Sequence, residues 1–260
     1  MRDFFMQHLF HLFYDCSGIS IDTRTIGEGN LFICLKGERY DANEFASQAL
    51  VQGAKYVISS DPQACNEELI FYVEDTLQFL QKLAHHHRNQ FNIPIIGITG
   101  SNGKTTTKEL VNAVLETERK VLCTKGNLNN HIGVPLTLLR LNATHELAII
   151  EMGANKPGDI EELCEIASPT HGIITNIGRA HLEGFGSFEG VLHTKLALYR
   201  SVQAKKGTIF YNADDHLLTG QLAKVNALGY SIEHASYCQG KLIGLTPYVS
   251  FVYDAQGYNS

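Results

Sequence analysis

Residues 97–107 decide the fold and read Gly97-Ile98-Thr99-Gly100-Ser101-Asn102-Gly103-Lys104-Thr105-Thr106-Thr107. An apolar run, residues 93–96, precedes them, and a segment of helical character, residues 108–116, follows. Glycines in a strand–turn–helix unit let backbone N–H groups turn onto phosphate oxygens, and the helix start adds unpaired donors. Lys104 can reach the β- and γ-phosphates, and the Thr105 hydroxyl can ligate Mg²⁺. The generic pattern has a glycine where this chain has Ile98, so the match rests on Gly103-Lys104-Thr105. We predict a nucleotide phosphate site; a chance glycine turn is the alternative.

The composition excludes several classes of protein. The net charge is −6 and the basic residues are dispersed, the densest group being Lys205-Lys206, so no nucleic-acid surface is indicated. The six cysteines form no C-x-x-C or zinc spacing, which favours buried reduced thiols in a cytoplasmic protein. The N-terminus lacks the pattern of a signal peptide, and no apolar run reaches membrane-spanning length. We therefore expect a cytoplasmic protein without membrane insertion.

Residues 1–90 have the pattern of a small α/β domain. Strands are predicted at 31–35, 56–58 and 69–73, and helices at 43–53 and from Thr76, which is the predicted cap of its helix. The second helix ends in His85-His86-His87. Because adjacent helical positions point in different directions, these histidines cannot converge on one metal ion. A solvated helix end that leads into a linker is predicted instead.

From residue 91 onward, apolar strands alternate with helices. Predicted strands occupy 93–98, 120–124, 147–151, 172–176 and 207–212, and predicted helices occupy 108–117, 134–141, 157–167 and 188–202. The alternation indicates an α/β fold in which a mostly parallel sheet of the phosphate-loop type carries helices on both faces. Ligands of such sheets lie at the carboxyl ends of the strands.

Polar residues follow the predicted strands at this edge. Glu151 ends the third strand, where a carboxylate beside a phosphate loop can hold Mg²⁺; a helix cap or a surface ion pair is the alternative. His181 lies in the loop after the fourth strand, where a lone histidine is more often structural. Ser187 is predicted to cap the next helix, and Lys195, two turns further on, has the position of an ordinary surface charge. The loop 126–135 carries paired amides, which suit a polar ligand and a backbone cap equally well.

Together these segments resemble the Mur ligase family, the ATP-dependent amide-bond-forming enzymes of peptidoglycan precursor synthesis. The likeness rests on TGSNGKTT (99–106), GNLNN (126–130), IGVPLT (132–137), EMGAN (151–155) with GDI (158–160), AHLEGFGS (180–187) and NADD (212–215). In addition, Asp22-Thr23-Arg24, residues 29–37 and Asp41 resemble the family's uridine-nucleotide-binding domain. The motifs cover nearly the whole chain, in order.

The resemblance implies site residues in three groups. The ATP-binding group would be Gly100, Ser101, Asn102, Gly103, Lys104, Thr105 and Thr106. The Mg²⁺ ligands would be Thr105, Glu151, His181 and a carbamylated Lys195, and the catalytic residues Lys104, His181 and Lys195. The substrate group would be Asn129 and Asn130 near the muramoyl-peptide, with Thr23, Arg24, Asp41 and Asn43 near the UDP group. Two positions depart from the family pattern, since Ala42 follows Asp41 and His131 follows Asn130.

The reaction implied by the resemblance has two steps. The carboxylate of UDP-N-acetylmuramoyl-tripeptide attacks the γ-phosphate of ATP to give an acyl phosphate and ADP, and the amine of D-alanyl-D-alanine then displaces phosphate. Residues 1–90 would be the UDP-substrate-binding domain and residues 91–260 a truncated central ATP-binding domain, without the C-terminal ligase domain.

We expect a monomer that serves cell-wall biogenesis, cell shape and cell division, and that alone binds its ligands with weak or no turnover. Another Mur-type or folylpolyglutamate-type ligase and a non-catalytic nucleotide-binding remnant are the alternatives.

Overall fold

A computed structural model describes residues 2–38, 40–66, 68–178, 182–222, 226–256 and 258–259. The chain divides into two units at Phe91. The first unit is Met1–Phe91 with Leu138–Leu141, and the second is Asn92–Thr137 with Asn142–Ser260. The sequence pattern does not predict that Leu138–Leu141 belong to the first unit.

The first unit contains a four-stranded parallel sheet in the order β1-β2-β3-β4. Its elements are α1 (Arg2–Tyr14), β1 (Gly18–Ser20), β2 (Asn30–Ile33), α2 (Ala46–Val51), β3 (Ala54–Ser59), β4 (Ile70–Tyr72) and α3 (Thr76–Arg88), with 3₁₀ turns at Thr23–Thr25 and Ala42–Phe45. Phe32, Val57 and Ile70 of the strands share a buried cluster with Ala46 and Ala49 of α2. Removing this apolar surface from water stabilises the unit.

The start of α3 differs from its prediction. Asp75, not Thr76, is the N-cap, and its carboxylate accepts a hydrogen bond from Gln78 N at 2.9 Å. The Thr76 hydroxyl instead donates to the carbonyl oxygen of Cys34 at 2.7 Å. A carboxylate is a strong acceptor for an unpaired helix N–H, so the aspartate one residue earlier takes the cap and the threonine ties α3 to the sheet.

The end of α3 is partly buried, which corrects the predicted solvated end: His87 and Arg88 are buried, whereas His85 is exposed. The His87 ring lies against the rings of Phe13 and Phe91, with centroids 5.1 and 5.0 Å away. Its Nε2 lies 3.0 Å from the carbonyl oxygen of Leu141, and burial lowers the pKa of His87. Phe13 belongs to α1, a helix that the sequence pattern does not predict because its apolar residues are spread around the helix.

The second unit is built on a nine-stranded sheet in the order β13-β12-β11-β10-β9-β8-β5-β7-β6. Its elements are β5 (Ile95–Thr99), α4 (Lys104–Leu115), β6 (Val121–Cys123), α5 (Gly133–Leu138), β7 (Leu147–Glu151), α6 (Asp159–Ala167), β8 (His171–Ile174), α7 (Leu182–Phe185), α8 (Phe188–Ala204), β9 (Thr208–Asn212), α9 (His216–Thr219), β10 (Ala227–Ser231), β11 (Cys238–Gly244), β12 (Ser250–Ala255) and β13 (Tyr258–Asn259). Strands β5 to β11 pair in parallel, and β12 and β13 pair antiparallel. The predicted α/β fold with parallel sheets is confirmed.

Helices lie on both faces of this sheet. On one face, Val111 and Leu115 of α4 pack on a cluster that contains Ile98 of β5 and Ile149 of β7. On the other face, α8 lies close to β8, because a Cβ placed on Gly172 would be only 3.2 to 3.3 Å from side chains of α8. Helix α8, the longest helix of the second unit, therefore packs against the middle of the sheet.

Helix α4 begins at Lys104, earlier than the predicted start at 108. Its N-cap is Gly103, whose φ of +75° lies in the left-handed region that favours glycine. The early start places Lys104 and Thr105 in the first turn, where backbone N–H groups have no partner within the helix.

Strands β10 to β13 are not predicted by the sequence pattern, which shows only a polar end after residue 253. Among the helices in the described part of the chain, none has both the length and the apolar character required to cross a membrane. All six cysteines are free thiols; Cys34 and Cys164 are buried, and the other four are partly buried. Burial raises the pKa of Cys34 and of Cys164 to about 12.

Candidate nucleotide and metal site

The loop between β5 and α4 is fastened to the loop that follows β8. Ser101 N donates to the carbonyl oxygen of Asn176 at 3.0 Å, and Asn102 N donates to Asn176 Oδ1 at 3.1 Å. The Thr175 hydroxyl donates to the carbonyl oxygen of Asn102 at 2.6 Å. These bonds fix the position of the phosphate loop relative to the loop after β8. The sequence places Thr175 and Asn176 in a binding loop but does not single them out; their position after the strand beside β5 is the available signal.

Two glycines give the loop its shape. Gly100 has a φ of +149°, and a Cβ there would collide with the Thr175 hydroxyl. Gly103 has its left-handed φ at the helix start, and no atom lies within 4 Å of the position of its absent Cβ. The space beside Gly103 at the N-terminus of α4 is therefore free of neighbouring side chains among the described residues, and an anion fits there.

Lys104 lies over this loop. Its Nζ donates to the carbonyl oxygens of Gly100 at 2.8 Å and Ser101 at 3.4 Å. The hydrogen-bond acceptors of Lys104 among the described residues are therefore neutral, and a phosphate oxygen would form the stronger, charge-assisted hydrogen bond.

Glu151 ends β7 and is only 1% exposed. Its Oε1 accepts hydrogen bonds from the Thr105 hydroxyl at 3.2 Å and from Asn129 Nδ2 at 2.8 Å. Its Oε2 is buried and has no hydrogen-bond partner among the described residues. The side chain is neither a helix cap nor, within the described part of the chain, a member of an ion pair, so the two alternative interpretations fail.

The donor set at Glu151 fits a magnesium ion. A buried acceptor without a partner is rare in folded proteins and calls for an explanation such as an ion. Carboxylate and hydroxyl oxygens are the ligands that Mg²⁺ prefers. The orphaned Glu151 Oε2 and the Thr105 hydroxyl supply both kinds of oxygen beside the phosphate loop.

Lys195 is buried, which corrects the expectation of a surface charge. Its side chain lies on the sheet-facing side of α8 and is 4% exposed. Burial, followed by the nearby charge of Lys104, lowers the pKa of Lys195 to about 8. Its Nζ lies 6.0 Å from the ring centroid of Phe185 and makes no hydrogen bond with a described residue. The spacing of Val191, Lys195, Leu198 and Val202 on one helix face is the signal that could have predicted burial.

A cavity of about 450 Å³ in the second unit has Lys104, Asn129 and Lys195 in its wall. It is lined by Gly100, Ser101, Lys104, Asn129, Asn130, His131, Gly153, Ala154, Asn155, Lys156, Asp159, Glu162, Leu163, Phe185 and Lys195. Lys104 and Lys195 thus face the same space, and Asn129 connects it to Glu151. Asn102, Gly103 and Thr106 belong to the phosphate loop or the first turn of α4 but do not line the cavity.

The two neighbouring amides have different partners. Asn129 Nδ2 binds Glu151, while Asn130 Oδ1 accepts from Ile132 N at 3.1 Å and Gly133 N at 2.9 Å at the start of α5. The cap interpretation of this loop therefore describes Asn130, whereas Asn129 is bound to a side chain of the same chain. Substrate contact by either asparagine stays a prediction.

His181, the predicted second contact to the metal, lies outside the described residues. The cavity wall contains residues without a predicted role, among them Asp159, whose Oδ2 accepts from Asn155 N at 2.8 Å and Lys156 N at 3.0 Å. The aspartate in the first turn of α6 thereby orders the EMGAN segment.

In the first unit, Asp22 and Arg24 form a closed pair. Arg24 Nη2 lies 2.6 Å from Asp22 Oδ2, and Arg24 N donates to Asp22 Oδ1 at 2.9 Å. The Arg24 side chain holds the pKa of Asp22 at about 2, and the guanidinium stays highly exposed. Thr23 opens the same 3₁₀ turn. Asp22 therefore presents Arg24 at the surface.

Asp41 and Asn43 order the next loop. Lys36 Nζ lies 2.9 Å from Asp41 Oδ2, and this contact, more than any other, lowers the pKa of Asp41. Asn43 Nδ2 donates to Asp41 Oδ1 at 2.7 Å, while its Oδ1 accepts from the Ser59 hydroxyl at 2.8 Å and Ser60 N at 2.9 Å. Asn43 is thus occupied inside the unit, and its predicted contact with the UDP group stays a prediction.

Two family models match most of the chain. The model of the Mur ligase middle domain matches residues 98–249, and that of the Mur ligase family, catalytic domain matches residues 15–88. The UDP-N-acetylmuramoyl-tripeptide--D-alanyl-D-alanine ligase of Bacillus subtilis (strain 168) is 41% identical over 203 residues, which are 77% of this chain and 44% of that protein. The enzyme of the same name from Synechocystis is 45% identical over 204 residues, which are 78% of this chain and 45% of that protein. The chain spans about half the length of these curated relatives.

Solved structures of MurF share the fold. A crystal structure of MurF from Acinetobacter baumannii has a TM-score of 0.86 and 30% identity, covering 98% of this chain and 59% of that one. MurF ligase from Thermotoga maritima in complex with ADP has a TM-score of 0.83 and 32% identity, covering 92% of this chain and 56% of that one. With a family model matching more than half of its residues, this chain belongs to the Mur ligase family.

Proposed function

We propose that this chain supplies the ATP-activating and UDP-substrate-binding part of a ligase that joins D-alanyl-D-alanine to UDP-N-acetylmuramoyl-tripeptide. The observation that carries the proposal is the buried carboxylate of Glu151, with one oxygen bound by Thr105 and the other orphaned, beside the phosphate loop. The substrates are those in the names of the relatives at 41% and 45% identity. The ADP complex of the Thermotoga maritima neighbour supports ATP as the phosphate donor.

The phosphate loop would hold ATP through its backbone. Gly100 to Gly103 turn N–H groups and the start of α4 toward the phosphates, and Lys104 exchanges its loop carbonyls for phosphate oxygens. Thr105 and Glu151 would hold Mg²⁺, which neutralises phosphate charge when bound. Asn129 fixes the Glu151 carboxylate by donating to its Oε1, so that Oε2 keeps its direction.

The cavity between Lys104 and Lys195 would hold the reacting carboxylate of the tripeptide. The carboxylate oxygen forms a bond to the γ-phosphorus while the bond to the ADP oxygen breaks, and the amine of D-alanyl-D-alanine later expels phosphate from the acyl carbon. Two anions must approach one another in the first step. Buried cations near them stabilise that arrangement more than solvated ones would.

Lys195 has a second possible form. Because its pKa is lowered to about 8, a fraction of the amine is neutral near physiological pH. A neutral amine adds to CO₂ with loss of a proton and gives a carbamate, which would join Thr105, Glu151 and His181 as metal ligands. Carbon-13 NMR of protein equilibrated with ¹³C-bicarbonate tests this directly: a carbamate signal absent from Lys195→Met supports carbamylation, and no signal refutes it.

The first unit would bind the UDP end of the substrate. Arg24 is an exposed guanidinium that Asp22 orients, and guanidinium suits diphosphate oxygens. The exposed Tyr40 ring stacks on Phe45 with centroids 5.4 Å apart, giving a flat surface for a pyrimidine. Thr23 and Asp41 belong to the same two loops. We further propose a monomeric, cytoplasmic protein that serves cell-wall biogenesis and cell division.

Calorimetry and a turnover assay test the proposal. We expect the 260-residue chain to bind both Mg²⁺-ATP and UDP-N-acetylmuramoyl-tripeptide, and to release ADP in the presence of D-alanyl-D-alanine slowly or not at all. Lys104→Met should abolish ATP binding, whereas the exposed Lys120→Met is the matched control. Binding of neither ligand would refute the ligase assignment. Fast D-alanyl-D-alanine-dependent ADP release would refute the weak turnover, and binding of Mg²⁺-ATP without binding of UDP-N-acetylmuramoyl-tripeptide would favour a nucleotide-binding module.

A further inference from the structure

Lys108 is a buried lysine to which the proposed function gives no role. All twelve residues of α4 belong to the described part of the chain, and Lys108 alone among them is buried, at 0% exposure. Lysine is almost never fully buried unless its amine has a partner, because removing an unpaired ammonium group from water is costly. The partners of this amine should therefore show what Lys108 does.

The amine of Lys108 has one partner on its own helix and one beyond β6. Its Nζ lies 2.6 Å from Glu109 Oε1, and it donates to the carbonyl oxygen of Thr124 at 2.8 Å. The Glu109 side chain is 61% exposed, so water screens this ion pair and it contributes little. The hydrogen bond to Thr124 is buried, and it joins α4 to the segment that directly follows β6.

Thr124 in turn binds the end of β7. Its N–H donates to the carbonyl oxygen of Ile149 at 3.0 Å, and its hydroxyl accepts a hydrogen bond from Glu151 N at 3.0 Å. Thr124 is only 2% exposed, so water has little access to these hydrogen bonds. Through this one residue, the amine of Lys108 is connected to the backbone of Glu151.

Lys108 also lies close to the other proposed metal ligand. It follows Thr105 by three residues, which places both side chains on the same side of α4. The Thr105 hydroxyl lies 3.2 Å from Glu151 Oε1. Val111 and Leu115, which pack α4 on the sheet, lie in its later turns. The hydrogen bond of Lys108 therefore anchors the part of α4 that carries Thr105.

We propose that Lys108 is a positioning residue of the Mg²⁺-ATP site. Its buried amine holds the first turns of α4 against Thr124, and Thr124 holds the end of β7. The Thr105 hydroxyl and the Glu151 carboxylate are thereby kept at a fixed separation before Mg²⁺ binds. Groups that orient metal ligands in this way typically change metal affinity by about 10- to 100-fold. The inference rests on the proposed function, because it requires Thr105 and Glu151 to hold Mg²⁺.

Calorimetric titration of the 260-residue chain with ATP at increasing Mg²⁺ concentrations tests this role. Lys108→Met removes the amine and nearly keeps the length of the side chain. It should raise the Mg²⁺ concentration that half-saturates ATP binding about tenfold or more. ATP binding without Mg²⁺ should stay close to that of wild type, whereas a merely structural role would weaken ATP binding equally with and without Mg²⁺. The exposed Lys120→Met is the matched control and should change neither quantity.

Thr124→Val tests the connection itself, because it removes the hydroxyl that accepts from Glu151 N. It should also raise the Mg²⁺ requirement, and in the double variant with Lys108→Met the effect should be smaller than the product of the two single effects. Mn²⁺ takes the same oxygen ligands as Mg²⁺, and its electron paramagnetic resonance spectrum with ATP should change in both single variants but not in Lys120→Met. If Lys108→Met does not fold, Thr124→Val decides: an unchanged Mg²⁺ requirement overturns the proposal.

The wild-type titration separates failure of this role from failure of the proposed function. If wild type requires Mg²⁺ and Lys108→Met keeps the wild-type requirement, or if the two single effects multiply in the double variant, the positioning role of Lys108 is overturned and the metal site stands. If ATP binding by wild type does not depend on Mg²⁺, the assignment of Thr105 and Glu151 as metal ligands fails, and the role of Lys108 fails with it.

Discussion

The buried carboxylate of Glu151 is the feature whose perturbation separates a metal site from a structural contact. Glu151→Gln keeps the shape of the side chain and an Oε1 that can accept from Thr105 and Asn129. It removes the negative charge and places an NH₂ group where the orphaned Oε2 lies. If the carboxylate is present for a cation, the substitution should affect stability and ligand binding in opposite directions.

The expected change in stability follows from three contributions. The two hydrogen bonds become neutral ones and weaken by about 1 kcal/mol each. The new NH₂ group finds no acceptor, which costs about 2 kcal/mol. Against these costs, the substitution removes the desolvation penalty of a buried carboxylate that has no cation beside it, which is about 5 kcal/mol. We therefore expect Glu151→Gln to raise the free energy of unfolding without metal by about 1 kcal/mol, or the melting temperature by about 3 °C.

Urea denaturation followed by far-UV circular dichroism measures this change, with Glu165→Gln as the matched control because Glu165 is exposed on α6. The control should leave stability within about 0.5 kcal/mol of wild type. Repeating the titration with Mg²⁺-ATP at about 100 times its dissociation constant should stabilise wild type and Glu165→Gln by about 2.7 kcal/mol. Glu151→Gln should lose the part of this gain that depends on Mg²⁺. If the variant is destabilised without metal, or keeps the full response to Mg²⁺-ATP, Glu151 is not a metal-holding carboxylate.

Three further predictions concern the loops and the first unit. Asn129→Ala should raise the dissociation constant of Mg²⁺-ATP in calorimetry because it releases the Glu151 carboxylate, whereas Asn130→Ala should cost about 1 kcal/mol of stability in urea through loss of the α5 cap. Gly100→Ala should prevent the phosphate loop from forming, seen as loss of ATP-induced thermal stabilisation, whereas Gly126→Ala, which meets no neighbouring atom, should cost only about 1 to 2 kcal/mol. Because burial lowers the pKa of His87 in the folded chain, His87 takes up a proton more readily in the unfolded chain as the pH falls below 6.5. The free energy of unfolding should therefore fall between pH 7 and pH 5, and it should fall less in His87→Gln. Urea titrations at pH 7 and at pH 5 measure both changes.

The strand-and-loop part of the site follows from the sequence. An apolar run before Gly100 and a polar residue at the tip of the third predicted strand place the phosphate loop and Glu151 at one sheet edge, and the observed strands β5 and β7 are neighbours there. Thr105 can contact Glu151 because β5 and β7 are neighbours and because Thr105 lies in the first turn of α4.

The burial of Lys195 shows what the sequence does not determine. A lysine two turns into a helix is ordinarily solvated, and only the packing of α8 on the sheet removes it from water. The same holds for His87, which is buried by α1, an element whose apolar residues give no clear period. In both cases contacts with a distant segment of the chain bury the side chain, and the spacing of apolar residues in the sequence predicts this burial only weakly.

The last strands of the second unit's sheet illustrate a second limit. Strands β11 and β12 mix glycine, charged and aromatic residues, so their alternation is hard to recognise in sequence. Their register makes the apolar row evident, since Leu242 and Phe251 are paired.

Calorimetric titration of the chain with ATP, with and without Mg²⁺, tests directly whether Lys104 and Glu151 form a Mg²⁺-ATP site. We expect one ATP per chain in the presence of Mg²⁺, with binding abolished in Lys104→Met and with the Mg²⁺ dependence lost in Glu151→Gln. Equal ATP affinity in wild type and Glu151→Gln, unaffected by Mg²⁺, would contradict the assignment of Glu151 as the metal-holding carboxylate.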